Sequence, residues 1–542
     1  MASIRQDCET RLSGMKSIRA DYESEVRDIA RFAQPARSRF LATEKNKGGR
    51  RRQANNRLLD PHGIIAQRTL TNGMTSGLSS ASTPWFTLAV ASEFMEAEGV
   101  RAWLSDVEAR MYAFLASTNF YSAAKTGYGE SGLFGTEATV MVEHRLYGGV
   151  CHSLTFGEYW IALSDAMRPD TLYRLCPMTV RQAVMSFGDK VQPWIRTAFD
   201  RSDYEKDVEI YQAIEPDTAG RFNYRSVYWD ASDDRDATLR VSGYTEQPFW
   251  APRWDVAGGD VYGTSPGMEA LAALRELQLQ TKRRNEAIDL MVHPEKIVPP
   301  HVRLTGQPRS IVTGNGVLKD NIVVPYQMPY QAPEAIRAEI DKCKEQVDTL
   351  FYADLFNAIT NMRGVQPRNM EEIAKRNEEK LTQLGPVIER VSTEKLMIVI
   401  DRVFSLMERG RMLPPAPPAL RDAEIKVEFV SILTQMQRLV GIGQIERSVS
   451  FVGNLAGAFP EAADKIDIDQ TIDEYAQRAG TPSKIIRSTA DANKLREQRA
   501  QQVQQAKMME AAPALQQGAD AARLLSETDV GGAPLLDTLL GA

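Results

Sequence analysis

The chain has 542 residues, 43% of them hydrophobic, with 65 basic and 71 acidic residues for a formal charge of −6. That length and apolar content support several structural units around sizeable cores, which excludes a disordered or fibrous protein. A slightly acidic chain cannot wrap phosphate tightly with its bulk charge, so any contact with nucleic acid must be local or transient.

Residues 1–33 predict a helix, because Leu12, Met15, Ile18, Tyr22, Val26, Ile29 and Phe32 recur at threes and fours. Between Arg31 and Arg57 stand nine basic residues against one acid, Glu44, with Gly48 and Gly49 in the middle. This basic loop suits either a phosphate or acidic-patch contact or a solvated arm. From Leu58 the text is helix-like until Ser79-Ser80-Ala81-Ser82-Thr83-Pro84, a turn that should throw Trp85 and Phe86 into a core. Residues 91–125 predict one long helix. Residues 130–260 change to α+β, with strand-like runs at 138–142 and 222–229 around a helix at 178–187.

At Ser265 the pattern switches again: Ser265 is a natural N-cap and Pro266 occupies the first helical position, where its missing N–H costs nothing. The helix that follows runs to Val292, about 37 Å at 1.5 Å per residue. Its stripe is Met268, Leu271, Leu274, Leu277, Ile288 and Met291, and Lys282-Arg283-Arg284 marks its exposed flank. Residues 293–332 are punctuated by Pro and Gly with β-branched residues between, as in Ile322-Val323-Val324-Pro325, and predict a small β-containing module. After Pro333 a second long helix to 357 carries Ile336, Ile340, Cys343, Val347, Leu350 and Leu355. Two long helices bracketing a compact module make a protruding hairpin. Asn369 and Glu372 then look like a capping pair that opens a helix of about 38 residues, interrupted at Gly385-Pro386 and closed by Gly410. From about 430 the pattern is helical, and its last part, Arg496 to Gln517, has little to form a core.

No chemistry is written in the chain. It has no GxxxxGK[ST] phosphate loop, no GxSxG elbow and no HExxH. The histidines, His62, His144, His152, His293 and His301, are scattered. Cys151 and His152 are sequence neighbours, a poor arrangement for a thiolate and its base. Cys8, Cys151, Cys176 and Cys343 form no framework and read as small buried hydrophobes in a reducing compartment. Glu371-Glu372 and Asp467/Asp469 read as caps and solvated faces. No leader and no membrane-length apolar run is present, so a soluble chain without cofactor, metal or catalysis is expected.

Several stretches, in order, resemble the head-to-tail connector family of short-tailed bacteriophages, whose members are portal proteins. They are Ala66-Gln67-Arg68-Thr69-Leu70 through Pro84-Trp85-Phe86-Thr87-Leu88; Met178-Thr179-Val180-Arg181-Gln182 to Phe187-Gly188; Ser242-Gly243-Tyr244, Pro248-Phe249, Pro252-Arg253-Trp254 and Tyr262-Gly263-Thr264-Ser265-Pro266-Gly267; and Asp467-Ile468-Asp469, Ala479-Gly480-Thr481-Pro482 and Arg487-Ser488. Thr264 departs from the basic residue found in many relatives.

The resemblance implies an α+β, mainly α portal fold. Its wing would be 1–265 with 376–440 as the kinked wing helix, its stem 266–292 and 333–357, its clip 293–332, its channel loop 358–375 and its helical crown and tail 441–542. It implies a ring, usually a dodecamer, at one capsid vertex of the virion, assembled in the host cytoplasm. Double-stranded DNA would pass without sequence reading along Asn361, Arg363, Arg368 and Asn369 and along Lys282, Arg283 and Arg284 of the stem. Lys296, Arg303, Arg309 and Lys319 of the clip would dock the terminase motor and then tail adaptor proteins, with major capsid and scaffolding proteins as further neighbours. The competing readings are a non-viral oligomeric scaffold and a nucleic-acid-processing enzyme.

Overall fold

The computed structural model describes residues 3–35, 58–91, 94, 99–218, 220–232, 237–297, 324, 329, 331–360, 378–420, 425–430, 433, 446–457, 459, 461, 465–479, 492–499 and 501–502. Two units emerge: residues 1–95 with 102–444, and residues 96–101 with 445–542.

In chain order the first unit begins with α1 (Ile4–Ala33) and α2 (His62–Leu78), followed by β1 (Phe86–Ala89), α3 (Val100–Ser117), whose first residues belong to the second unit, and α4 (Phe120–Phe134). Then come β2 (Ala138–His144), β3 (Gly148–Leu154), β4 (Tyr159–Leu163), β5 (Pro169–Thr179), α5 (Val180–Phe187), α6 (Pro193–Asp200), β6 (Asp207–Pro216), β7 (Tyr224–Asp230), β8 (Arg240–Tyr244) and β9 (Phe249–Trp250). Next are α7 (Pro266–Glu269), α8 (Leu271–Val292), α9 (Ala332–Leu350), α10 (Ala353–Thr360), α11 (Glu378–Val391), a π-helical turn (Ser392–Leu396), α12 (Met397–Arg409) and β10 (Lys426–Phe429). In the second unit 446–457 are helical and α13 spans Ile468–Ala479. The fold is α+β and mainly α, as expected. No helix among the described residues is long and apolar enough to cross a membrane.

The largest sheet is the antiparallel meander β4-β5-β6-β7-β8. Because side chains alternate along a strand, one face offers Trp160, Tyr173, Ala213, Val227 and Trp229 to Cys8, Leu12 and Met15 of α1. The opposite face offers Cys176, Val208, Ile210 and Tyr228 to α5 and α6. Smaller sheets β3-β2-β9 and β1-β10 complete the unit. All four cysteines are free and buried, and burial pushes the Cys151 thiol up to about 12. On β3 Cys151 is buried and His152 exposed, since neighbours on a strand point to opposite faces.

Several helices differ from the sequence expectation. In α1 Ile18 is exposed and Arg19 takes the inward slot, donating to the Tyr159 carbonyl at 2.8 Å with its guanidinium 4.3 Å from the Trp160 ring centroid. A charge can sit there because aromatic faces and a carbonyl receive it. The helix expected over 91–125 is two helices. Ser117 and Thr118 donate their hydroxyls to the carbonyls of Phe114 and Leu115, which ends α3. Asn119 then spends its side chain on the backbone of Cys151, at 2.7 and 2.8 Å.

The helix expected to run unbroken over 333–357 stops at Leu350. Tyr352 adopts φ 54°, and the chain turns so that α10 lies on α2, with Phe356 against Gly73. The expected interruption at Gly385-Pro386 is absent: α11 runs through Pro386, which is exposed, so water can serve the carbonyl its ring strands. The irregularity is instead the π turn at Ser392–Leu396, which buries the consecutive residues Glu394 and Lys395.

Candidate functional site: a clasped helical hairpin

Ser265 begins the hairpin as the sequence predicts. Its Oγ accepts from the Met268 N–H at 3.1 Å and donates to the Leu133 carbonyl at 2.7 Å. One hydroxyl thereby caps the helix and ties it to the end of α4. That junction is closed by glycine: Gly135 caps α4 at φ 76°, and a Cβ there would lie 1.8 Å from the Gly263 carbonyl. Thr264 is exposed and pairs through its backbone with Asp255, so the basic group expected at this helix head has no counterpart.

The helices α8 and α9 meet along Leu277, Ile336, Ile340 and Cys343. At the base, the loop before α2 clasps both. Gln278 accepts from the Leu59 N–H at 2.8 Å and donates to the Asp60 carbonyl at 2.7 Å. On the α9 side Lys344 Nζ lies 2.9 Å from Asp60 Oδ2, and His62 Nε2 lies 2.9 Å from Asp348 Oδ1. Arg275 pairs with Asp28 of α1. Beyond this clasp burial fades: from Lys282 to Ile297 only Ala287 is buried among the described residues, while Ile288 is 45% and Val292 65% exposed. The stripe drawn from sequence therefore shifts, with Thr281 and Ala287 inward and Ile288 outward. Among the described residues the hairpin is anchored at one end and largely exposed from Lys282 onward.

The basic residues separate accordingly. Lys282 and Arg283 are exposed, Lys282 loosely paired with Glu286 at 3.6 Å. Arg284 departs from the expected exposed flank: it is half-buried and its Nε is buried without a hydrogen-bond partner, so only part of its guanidinium could meet a ligand. Lys296 is exposed. Arg303, Arg309 and Lys319 of the expected clip, and Asn361, Arg363, Arg368 and Asn369 of the expected channel loop, lie outside the described residues, as do the basic loop from residue 36 and Glu371-Glu372. Among the described residues no group of three or more His, Cys, Asp or Glu could hold a metal ion. Asp467 accepts from the Gln470 N–H at 3.1 Å and Asp469 pairs with Arg496 at 2.6 Å, the capping and surface roles expected of them.

Sequence reasoning missed the anchor of the long helix. At the π turn Lys395 pairs with Glu137 of the β2 approach at 2.8 Å, and Glu394 takes Arg253 at 2.8 Å. About two and four turns further on, Arg402 and Arg409 converge on Glu246. The only visible signal was charge inside an apolar text, Glu394-Lys395 before Leu396-Met397-Ile398-Val399-Ile400.

A family model described as "Bacteriophage head to tail connecting protein" matches residues 5–486. The chain belongs to this family. Two relatives agree over nearly full length: the "Portal protein" of Salmonella phage epsilon15, 35% identical over 98% of this chain and 97% of that one, and the "Probable portal protein" of Bordetella phage BPP-1, 36% identical over 96% and 95%. A solved chain of the "Virion of native gene transfer agent (GTA) particle" aligns with TM-score 0.33 and 11% identity over 79% of this chain and 94% of that one, a likeness too distant to carry an argument.

Family membership removes the non-viral scaffold from the readings. It also gives the resembling motifs their places in a head-to-tail connecting protein. Trp85 and Phe86 are core residues at 1% and 0% exposure. Thr179 and Gln182 close a capping box at α5, and Ser265-Pro266-Gly267 seats α7 on α4, where a Cβ on Gly267 would lie 2.5 Å from the Leu133 carbonyl. In this chain the motifs serve the frame that carries the hairpin.

Proposed function

We propose that copies of this portal subunit close into a ring, most readily of twelve, at one vertex of a phage capsid. Double-stranded DNA passes through its centre during packaging and ejection. The observation that carries this reading is the hairpin, clasped at its base by Gln278, Lys344 and His62 and bare beyond Lys282: a projecting element suits a docking role outside the shell. In this reading 1–265 and 376–440 are wing, 266–292 and 333–357 stem, 293–332 clip, 358–375 channel loop and 441–542 crown and tail.

A conduit must touch DNA weakly enough to let it slide, and a net charge of −6 suits guidance by a few cations better than wrapping. Arg363 and Arg368, with Asn361 and Asn369 beside them, are the guiding residues of this reading. The clip, through Lys296, Arg303, Arg309 and Lys319, takes the terminase motor first and tail adaptors afterwards. Capsid and scaffolding proteins meet the wing, and assembly takes place in the host cytoplasm. The chain works as a structural part and not as an enzyme.

Replacing Arg363 and Arg368 by Ala should leave rings intact and lower the yield of DNA-filled heads. An unchanged yield contradicts the channel assignment. Deleting 295–328 should abolish terminase and adaptor association while subunits still fold; surviving terminase binding moves that site elsewhere.

A further inference from the structure

The hairpin has two outward edges, each opposite the seam of Leu277, Ile336, Ile340 and Cys343. On α8, spacings of four, three and four place Leu279, Arg283, Glu286 and Leu290 along one edge, with Lys282 beside them; all are exposed, Leu279 at 47% and Leu290 at 39%. On α9 the same spacings place Glu334, Ala338, Asp341 and Glu345 along the other edge, also exposed. No large hydrophobic side chain of α9 is among the exposed ones. One edge thus carries two leucines and two cations with one acid, Glu286, and the other carries three acids with a small residue between them and Lys342 beside them.

The two edges also match in level. Leu277 and Ile340 share the seam of an antiparallel pair, so each residue toward the tip on α8 corresponds to one residue back on α9. Arg283, six residues beyond Leu277, is about 9 Å further out at 1.5 Å per residue. Glu334, six residues before Ile340, lies at that same level. By the same measure Leu279 is level with Ala338. A rotation axis running along the hairpin preserves level, and a closed ring is built from heterologous contacts, one edge of each copy on the other edge of the next.

We propose that the α8 edge docks on the α9 edge of a second copy of this chain, Leu279 against Ala338 and Arg283 with Lys282 against Glu334. This rests on the portal reading and departs from the DNA-facing role that the resemblance implies for Lys282 and Arg283: here they join subunits. The charge pattern sets the register and direction of closure, since a copy turned the wrong way brings acid to acid. The exposed intrachain bridges, Lys282 to Glu286 at 3.6 Å and Arg337 to Glu334 at 3.7 Å, are loose enough to exchange for pairs between copies.

The test uses the full-length chain with Arg283→Glu, Glu334→Arg and the double exchange, following assembly by sedimentation and native mass spectrometry. Each single reversal should raise the concentration at which half the chains assemble by about tenfold or more, and the double should return it to within about twofold of wild type. Leu279→Glu should weaken assembly without rescue by Glu334→Arg. Circular dichroism melting checks that each variant subunit is folded; all these positions are exposed and outside any core. Single reversals that assemble like wild type, or a double no better than the singles, overturn the docking. So does an Arg283→Glu ring that forms normally while DNA-filled heads fall, which returns Arg283 to the channel. A wild-type chain that never forms a ring overturns the portal reading itself.

Discussion

Lys395 Nζ lies 2.8 Å from Glu137 Oε2, with side chains 0% and 1% exposed, and 3.5 Å from the Tyr128 ring centroid. Burial pulls the lysine down and pushes the glutamate up, and each opposes that drift by holding the other charged. The pair pins the π turn of the long helix to the strand frame at a place where neither charge has water to fall back on. Lys395→Met leaves the Glu137 carboxylate buried and unpaired and should cost about 3–5 kcal/mol. Lys395→Met with Glu137→Leu, which removes both charges, should recover most of that loss. Denaturant unfolding followed by fluorescence measures both; equal losses in single and double variants would show that packing, not charge, holds the site.

A second cluster predicts a pH limb. Burial alone would raise Glu246, but hydrogen bonds from Arg409 and Thr245 and the nearby Arg402 outweigh it and bring the carboxyl to about 2 from an ordinary 4.5. A carboxyl depressed by folding contributes stability that is complete above about 4.5 and disappears as the pH falls toward about 2. The melting temperature of wild type should exceed that of Glu246→Gln at neutral pH, and the gap should narrow across that window. A gap unchanged between pH 6 and pH 2.5 contradicts the pairing.

The junction between α4 and α7 predicts a severe glycine effect. Gly135→Ala adds a Cβ that would lie 1.8 Å from the Gly263 carbonyl at φ 76°, where both the contact and the left-handed backbone oppose it. Soluble yield should fall sharply, and the protein that survives should melt well below wild type. Wild-type melting would contradict the tight junction.

The seam between α8 and α9 predicts a local effect. Ile340→Ala should cost about 2–5 kcal/mol at a site 2% exposed, and hydrogen exchange should quicken in α8 and α9 while the five-stranded sheet keeps its protection. Faster exchange in the sheet would mean that the hairpin and the sheet unfold as one.

How far the fold could be read from sequence depended on whether a feature is local. The helix near 178–187, the Ser265-Pro266 helix start and the burial of Trp85 and Phe86 are settled within a few residues, and each stands where the text placed it. The breaks that were missed depend on partners far along the chain. Asn119 holds the break between α3 and α4 because its side chain bonds the backbone of Cys151, Arg19 displaces Ile18 because Trp160 and Tyr159 receive it, and the π turn exists where Glu394 and Lys395 find Arg253 and Glu137. Charge at a buried position is nearly invisible to periodicity. For the candidate site, the hairpin's start and seam were legible, while Tyr352 broke the second helix earlier than its apolar spacing suggested. The half-burial of Arg284 depends on how α8 meets its surroundings, which a basic triplet does not record.

The portal reading stands or falls on assembly. Electron microscopy of the purified full-length chain with its rotational symmetry counted should show a closed ring of about twelve subunits around an open central channel, as expected for heterologous contacts that close. A monomer, an open filament or a ring without a channel wide enough for duplex DNA would contradict it.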